Sequence, residues 1–246
     1  MQGVNNAIAH LIVRAFLLRY EIACYIGVMS ENSRLISKKE EWARMGRGLL
    51  EDGVMRDTRQ RSRRLPPGQH VAKGWPVLDL GIHPTIALSD FTLTITGCVE
   101  QPVVWDWDTL LKHPQKKSIS DFHCVTTWST FDNEWEGVMF SHLLETVKLK
   151  SEAAYVFFTS GDNYSTNLPL SVCLDDDVLL ARSWNGQPLS VEHGGPLRMI
   201  VPKVYAWKGA KWVKEIIFME RDRLGYWEKR GYSNTADPWM DDRYSL

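Results

Sequence analysis

A strictly alternating segment at residues 91–96 sets the strongest limit on the fold. Phe91, Leu93 and Ile95 alternate with three threonines, and Gly97 ends the run. A period of two places the apolar side chains on one face of a strand, and that face must be buried against other elements. The segment therefore predicts a sheet with one covered face.

Most other regular segments of the sequence are also strand-like. Asn185-Gly186 is typical of a two-residue hairpin turn, and the helical patterns at 105–111 and 140–147 are short. Residues 162–170 are predicted as a loop or hairpin that turns at Pro169. Further strands are predicted at residues 117–122, 154–159, 178–181, 197–202 and 215–219. Many strands without a regular βαβ rhythm predict an α+β fold that is mainly β, with short helices.

The composition excludes several classes of function. The 246 residues carry a net charge of −1, so no basic field points to nucleic acid and no such partner is expected. Cys24, Cys98, Cys124 and Cys173 form no CxxC pair, which excludes zinc-ribbon and thioredoxin-type motifs. Without a recognisable secretory signal, reduced thiols and a cytoplasmic location are expected. The eleven tryptophans suit a large rigid core or walls around a flat ligand.

The N-terminal region is apolar but interrupted by charges. Arg14, Arg19 and Glu21 lie within the apolar residues 7–29, whereas a membrane-spanning helix needs about 20 predominantly apolar residues. Membrane contact through residues 7–28 therefore stays an alternative to a soluble extension. A second interpretation is that translation begins at Met29. Beyond it, residues 37–47 predict a short helix, and residues 56–64 form a basic run.

Three stretches hold polar groups for which a strand has no use: residues 120–128, 162–167 and 193–212. Cys124, at the centre of the first, has three open interpretations: a buried structural thiol, a nucleophile or a soft metal ligand. The histidines show no HxxxH spacing, which argues against zinc hydrolysis. In the third stretch, glycines would allow close backbone approach, and Arg198, Lys208 and Lys211 supply positive charge. A phosphorylated ligand is one interpretation, and a solvated loop is the other.

These blocks, taken in order, resemble the sulfite-oxidase-like family of molybdopterin-dependent oxidoreductases. The resemblance runs from about Trp75 to Tyr244 and is closest to small, single-domain bacterial members. It is carried by Asp121-Phe122-His123-Cys124-Val125-Thr126-Thr127-Trp128, Asn163-Tyr164-Ser165-Thr166-Asn167-Leu168-Pro169-Leu170, His193-Gly194-Gly195-Pro196-Leu197-Arg198 and Trp207-Lys208-Gly209-Ala210-Lys211-Trp212.

The resemblance implies a molybdenum-molybdopterin cofactor and a role for each matching residue. Cys124 matches the thiolate that ligates the metal, and Tyr164 matches the tyrosine on the substrate side. Trp128 is expected to shape the pocket. The positions that match contacts to the cofactor are His83, Thr159, His193, Arg198, Gly209, Ala210 and Lys211.

The departures from the family pattern bear on the substrate. Sulfite oxidases place arginines where this chain has Gly81 and Thr127-Trp128-Ser129. A dianion needs such charge once it is desolvated, so oxygen-atom transfer from a small S- or N-oxide is favoured over sulfite oxidation. Because no second redox centre is recognised, electrons are expected from an external partner. A metal-free cysteine-nucleophile enzyme and a Trp-rich binding module remain alternatives.

Four regions follow from this interpretation. Residues 1–28 form an apolar extension and residues 29–70 a helical and basic arm. Residues 71–228 form the molybdopterin-binding catalytic domain. Residues 229–246 form an aromatic C-terminal strap, interpreted as packing across the domain or as a lid or subunit contact.

Overall fold

The computed structural model describes residues 64–245. The predictions for the extension at residues 1–28, the helix at residues 37–47 and most of the basic run at residues 56–64 lie outside the described part. No helix between residues 64 and 245 has the length and apolar character that crossing a membrane requires.

The described chain forms two sheets joined by short helices. The strands are β1 (His70–Val71), β2 (Thr92–Gly97), β3 (Val103–Asp106), β4 (Gln115–His123), β5 (Trp128–Met139), β6 (Tyr155–Ser160), β7 (Ser165–Pro169), β8 (Leu179–Trp184), β9 (Gln187–Pro188), β10 (Arg198–Ile200) and β11 (Val213–Met219). The α-helices are α1 (Trp107–Lys112), α2 (Phe140–Thr146) and α3 (Leu170–Cys173). Short 3-10 turns lie at Leu88–Asp90, Ala206–Lys208 and Glu228–Arg230. The mainly β α+β prediction is confirmed.

The first sheet is built around the long strand β5. Strand β4 pairs antiparallel with β5 over most of its length, and β8 pairs antiparallel with the C-terminal half of β5. The short β1 pairs in parallel with the start of β5, through His70 opposite Trp128. Strand β10 extends the sheet beyond β8. The turn between β4 and β5 holds residues 124–127, so this sheet positions the Cys124 loop.

The second sheet has the order β3-β2-β11-β6-β7. Its centre is the parallel pair of β2 and β11, and its other pairings are antiparallel. The alternation predicted for β2 is confirmed, because Leu93 and Ile95 are fully buried while the threonines between them are not. Phe140 of α2 packs on this sheet, with ring centroids 6.0 Å from Phe158 and 6.2 Å from Phe218.

Gly97 ends β2 for a steric reason. Its φ is +89°, and a Cβ there would lie 2.0 Å from the carbonyl oxygen of Phe218 on the neighbouring strand. No side chain fits that approach, so a residue larger than glycine would force β2 away from β11.

Two local predictions were wrong. Trp105 lies in β3, opposite Leu93, and not in the predicted helix. Helix α1 begins later because Asp106 caps it, accepting a hydrogen bond from the Thr109 amide at 2.7 Å. The second error concerns Trp128, which lies in the stretch at residues 120–128 whose polar groups were not expected in a strand. It begins the 12-residue strand β5, and the turn ends at Thr127, whose φ is +75°.

The C-terminal residues fold back onto the domain. Tyr232 and Tyr244 form an isolated antiparallel bridge, and the Ser233 amide donates to the Arg243 carbonyl at 3.0 Å. The side chain of Arg243 donates to the Val125 carbonyl in the Cys124 loop. The segment therefore packs against the loop that the sequence marks as the site.

Candidate functional site

The Cys124 loop is held by hydrogen bonds to nearly all of its carbonyl groups. The Cys124 carbonyl accepts from the Thr127 amide at 3.1 Å and from Gln69 Nε2 at 3.0 Å. The Thr127 carbonyl accepts from the His70 amide at 2.8 Å, and the Trp128 carbonyl accepts from the Cys124 amide at 2.8 Å. Such a network fixes the direction of the thiol, as a metal-ligand position requires.

The thiol itself is largely enclosed. Cys124 is 6% exposed, and its Sγ lies 3.2 Å from Thr126 Oγ1. Cys98, Cys124 and Cys173 are outside any disulfide within the described chain. No group of three or more His, Cys, Asp or Glu side chains that could hold a metal occurs among residues 64–245. A metal at Cys124 would therefore take its other ligands from a cofactor or from solvent.

His123 precedes the thiol but faces a different set of partners. Its Nδ1 lies 2.8 Å from Ser129 Oγ, and its ring centroid is 6.2 Å from that of Trp239. Burial lowers its pKa, so the ring stays neutral near pH 7. Its Nδ1 is engaged with Ser129, which argues against His123 as the base of a Cys–His pair.

Arg198 is a buried cation whose charge has no counterion among the described residues. It is 2% exposed, and its Nη1 donates to the His193 carbonyl at 2.8 Å. Its Nε is buried without a hydrogen-bond partner, and no carboxylate lies within ion-pair distance in the described chain. Burial lowers its pKa to about 9. A buried charge of this kind requires an anion, and a guanidinium suits phosphate.

Aromatic rings connect Arg198 to the Cys124 loop. The guanidinium carbon lies 4.8 Å from the Trp75 ring and 5.3 Å from the Phe122 ring, two residues before Cys124. Trp75 also contacts Phe122 at a centroid distance of 5.4 Å. The cation and the thiol loop therefore share one aromatic wall.

His193 also packs on Trp75. Its ring stacks on Trp75 at 4.1 Å, and its Nε2 lies 3.0 Å from the Trp75 carbonyl oxygen. Since a carbonyl only accepts, Nε2 must carry the proton. Nδ1 then accepts from Ser190 Oγ at 2.9 Å. Burial lowers the pKa of His193, as do the positive charges of Arg198 and Lys211.

Lys211 adds a second cation beside Arg198. Its Nζ donates to the Glu192 carbonyl at 2.6 Å and lies 3.5 Å from Asp79 Oδ2. Burial and then the positive charge of Arg198 lower its pKa to about 8. His83, predicted to line the same pocket, contacts the same Asp79 oxygen at 2.7 Å. Lys211 and His83 therefore both contact the carboxylate of Asp79.

Backbone hydrogen bonds hold the two basic segments together. The Trp212 amide donates to the Gly194 carbonyl at 3.2 Å, and the Met199 amide donates to the Ala210 carbonyl at 2.8 Å. Gly194 has a φ of +100°, and a Cβ there would lie 2.8 Å from the Lys211 Cβ. A Cβ at Gly209 would lie 2.7 Å from the Met199 carbonyl oxygen. Glycine is therefore required at both positions.

Two of the predicted site residues, Thr159 and Tyr164, make hydrogen bonds to other groups of the protein. Thr159 is half-buried in β6, where its Oγ1 donates to Glu215 Oε2 at 3.4 Å. The Tyr164 hydroxyl donates to the Trp207 carbonyl at 2.5 Å. Burial and then the charge of Glu228 raise its pKa well above the ordinary value, so the phenol keeps its proton. Within the described chain these contacts are made to groups other than Cys124 and Arg198, so the roles of Thr159 and Tyr164 stay predictions.

The sequence did not reveal four residues that complete the site: Gln69, Trp75, Tyr205 and Arg243. Gln69 and Arg243 bind carbonyls of the Cys124 loop. Tyr205 is buried, and the Arg243 guanidinium carbon lies 5.3 Å from its ring. The abundance of tryptophan was the only signal that pointed toward a ring such as Trp75.

The fold and the site together define a cofactor-binding redox domain of the sulfite-oxidase type. A rigid thiol loop stands beside a buried cation without a counterion in the described chain, and two close-packed glycines allow the two basic segments to approach each other. Residues 80–227 match the family described as oxidoreductase molybdopterin binding domain, and the chain belongs to that family.

Similar proteins support this assignment. The oxidoreductase YuiH of Bacillus subtilis (strain 168) is 39% identical over 191 residues, which cover 76% of this chain and 96% of that protein. The MsrP catalytic subunit of a protein-methionine-sulfoxide reductase from Xanthomonas axonopodis pv. citri (strain 306) is 32% identical over 178 residues. The match covers 64% of this chain and 55% of MsrP, so the chain spans about half of that relative.

A solved structure agrees with the fold. The sulfane dehydrogenase SoxCD from Paracoccus pantotrophus aligns with a TM-score of 0.52 at 25% identity, covering 56% of this chain and 40% of that chain. The predicted family, the mainly β fold and the oxidoreductase class are therefore confirmed, and the cofactor is molybdenum-molybdopterin. The metal-free cysteine enzyme and the Trp-rich binding module are not supported.

The residues present fit this cofactor. Arg198 and Lys211 would hold its phosphate, His193 and the backbone of Gly209–Lys211 would line it, and Cys124 would ligate the metal. The buried Arg198 Nε without a partner is the observation that supports the fit. These individual assignments remain predictions.

Proposed function

We propose that the chain reduces a small S- or N-oxide, taking two electrons from an external carrier. The overall reaction consumes the oxide, two electrons and two protons, and gives the reduced compound and water. When bound, the cofactor supplies a redox-active metal that accepts the oxygen atom. The single observation that carries the proposal is the absence of arginine at Gly81 and at Thr127–Ser129, where a sulfite-binding enzyme needs positive charge.

Relatives support the same direction of reaction. MsrP is named as a protein-methionine-sulfoxide reductase catalytic subunit, and the 30% identical YedZ1 of Azospira oryzae is named as a putative subunit of such an enzyme. The match covers 55% of YedZ1, so its activity is an analogy for this chain.

The chain's own residues would position the reactants. The hydrogen-bonded loop keeps the Cys124 thiol in one direction, and burial of the site excludes water. Tyr164 would donate a hydrogen bond on the substrate side, because its raised pKa keeps the phenol protonated. To do so, its hydroxyl would have to leave the Trp207 carbonyl.

A two-way substrate screen tests the proposal. Molybdenum-loaded protein should oxidise reduced benzyl viologen in the presence of dimethyl sulfoxide, methionine sulfoxide or trimethylamine N-oxide. The matched reverse assay follows ferricyanide reduction by sulfite. Faster turnover with sulfite than with any oxide would overturn the proposed direction. If the protein purified from a cofactor-competent host contains no molybdenum and no pterin, the assignment of the cofactor is contradicted.

We also propose a cytoplasmic location. Three described cysteines lie outside disulfides, as is usual in a reducing compartment. Fractionation of the native host, with marker enzymes for each compartment, tests this. Recovery of the protein in the periplasmic or membrane fraction would overturn it.

A further inference from the structure

The C-terminal segment brings an arginine to the Cys124 loop from the far end of the chain. The backbone of Arg243 is fixed because its carbonyl accepts from the Ser233 amide at 3.0 Å. Its Nη1 donates to the carbonyl of Val125, the residue after the thiol. The loop thus carries a positive charge that its own sequence does not supply.

The guanidinium of Arg243 is restrained yet keeps unused donors. Its Nε donates to Asp241 Oδ1 at 2.6 Å, and its guanidinium carbon lies 5.3 Å from the centroid of the Tyr205 ring. The side chain is 12% exposed. Its Nη2 makes no hydrogen bond with residues 64–245 and lies near Gly68, where a Cβ would be 3.3 Å away. An arginine has five N–H donors, so Nη2 can still bind an acceptor.

Asp241 moderates this charge. Its side chain is 53% exposed, and it adopts a φ of +53°, a conformation that asparagine and aspartate tolerate better than most residues. It also accepts from the Tyr205 hydroxyl at 3.3 Å. The Asp241 carboxylate therefore orients the Arg243 guanidinium and reduces the net positive charge beside the Cys124 loop.

A half-exposed aromatic side chain also lies near the start of the loop. Trp239 is 48% exposed, and its ring centroid lies 6.2 Å from that of His123, the neighbour of Cys124. An apolar ring and a guanidinium beside the thiol loop suit a ligand with an apolar body and one anionic group.

We propose that Arg243 is a specificity-determining residue that binds a carboxylate of the substrate, so that the preferred substrate is a carboxylate-bearing S-oxide. The inference rests on the proposed function and deepens it. Arg243 would take over the task of the arginines that are missing at Gly81 and Thr127–Ser129. With one guanidinium, half neutralised by Asp241, the site suits a monoanion better than a dianion such as sulfite.

A matched pair of substrates tests this directly. N-acetylmethionine sulfoxide carries a carboxylate, and its methylamide is the neutral counterpart. The measured quantity is the ratio of their kcat/KM values with reduced benzyl viologen. The ratio should fall about tenfold or more in Arg243→Gln, because a charge-assisted hydrogen bond is lost. The matched control Arg221→Gln removes the same charge from an exposed position and should leave the ratio unchanged.

A second variant shifts the ratio in the opposite direction. Asp241→Asn keeps a residue that accepts positive φ and removes the neutralising charge, so the ratio should rise severalfold. This variant also keeps the proposal testable if Arg243→Gln does not fold. An unchanged or lower ratio in Asp241→Asn, or an unchanged ratio in Arg243→Gln, would overturn the proposal.

A binding measurement separates this inference from the proposed reaction. Calorimetry with N-acetylmethionine sulfone and its methylamide, which are used as unreduced analogues, should show tighter binding of the carboxylate by the loaded wild-type protein. Arg243→Gln should remove that preference. A different outcome is that the loaded protein turns over no oxide and still binds the carboxylate analogue more tightly than the methylamide in an Arg243-dependent way. In that case the proposed reaction is wrong and the proposed anion site is supported. If wild type and Arg243→Gln show the same preference for the carboxylate over the methylamide, the proposed anion site is contradicted.

Discussion

The guanidinium of Arg198 lies 4.8 Å from the ring of Trp75, and no carboxylate pairs with it in the described chain. Cation–π contacts supply only part of the stabilisation that a buried charge loses on leaving water. The arrangement is explained if an anion completes it. Arg198 is therefore expected to favour cofactor binding while it lowers the stability of the cofactor-free protein.

Arg198→Met tests that conflict. Molybdenum and pterin content should fall at least tenfold. The cofactor-free variant should be more stable in urea by about 1–4 kcal/mol, because a buried charge is replaced by an apolar side chain. The contrast is Arg182→Met, since Arg182 is paired with Glu136. That variant should lose stability and keep its cofactor. A cofactor-free Arg198→Met protein that is less stable than wild type would argue for a purely structural arginine.

Cys124→Ser should separate ligation from folding. Turnover should be abolished and the absorption bands of the metal altered, because a hydroxyl is a poor substitute for a soft thiolate. The loop should persist, since its hydrogen bonds come from backbone groups and from Gln69. The free energy of unfolding without cofactor should change by no more than about 2 kcal/mol. Cys98→Ser is the control and should retain the bands. Full turnover by Cys124→Ser would refute the ligand assignment.

Local sequence patterns predicted the strands whose polar residues face outward. Strand β2 alternates cleanly, and its apolar face is buried as expected. Strand β5 was missed because polar residues are buried within it. Asn133 is 2% exposed, and its amide donates to the Thr130 carbonyl at 3.1 Å and accepts from Trp184 Nε1 at 3.0 Å. Such hydrogen bonds permit burial but erase the alternation.

The site was predictable only where its residues lie in contiguous blocks. Cys124, His193 and Arg198 stand in such blocks, and the structure links the three through Trp75 and Phe122. Contacts between residues that are far apart in the sequence leave no local sequence pattern that would predict them. His193 meets Trp75 across 118 positions, and Arg243 reaches Val125 across the same separation. Only the folded backbone brings these groups together.

A buried ion pair ties the last basic segment to the C-terminal region. Lys208 Nζ lies 2.7 Å from Glu228 Oε1, and both side chains are fully buried. Lys208 also donates to the carbonyl and the Oδ1 of Asn167, and Trp207 Nε1 donates to Glu228. Lys208→Met should cost about 3–5 kcal/mol in urea unfolding, because a lone carboxylate is left buried.

The double variant checks that reasoning. In Lys208→Met combined with Glu228→Gln neither side chain is charged, so most of the lost stability should return. The coupling free energy comes from the cycle of the two single variants and the double variant. If the losses of the single variants simply add, the ion pair is not the source of the effect.

The final prediction concerns the acid sensitivity that His123 confers. Burial lowers its pKa, and the charge of Arg64 acts in the same direction while Asp121 opposes it. In the unfolded chain the pKa is about 6.5, so below that pH the unfolded state binds more protons than the folded state. The stability contributed by neutral His123 is therefore complete above about pH 6.5 and is lost as the pH falls toward the folded pKa.

His123→Asn isolates this contribution, because every other titrating group is shared. An asparagine can still meet Ser129 Oγ, which lies 2.8 Å from the Nδ1 of His123. Between pH 7.5 and pH 5, wild type should lose about 1 kcal/mol or more of unfolding free energy beyond the loss in the variant. Between pH 7.5 and pH 8.5 the difference should stay constant, since the ring is neutral in both states. Parallel curves down to pH 5 would mean that His123 is protonated in the folded protein, and its contact with Ser129 would then need a charged donor at Nδ1.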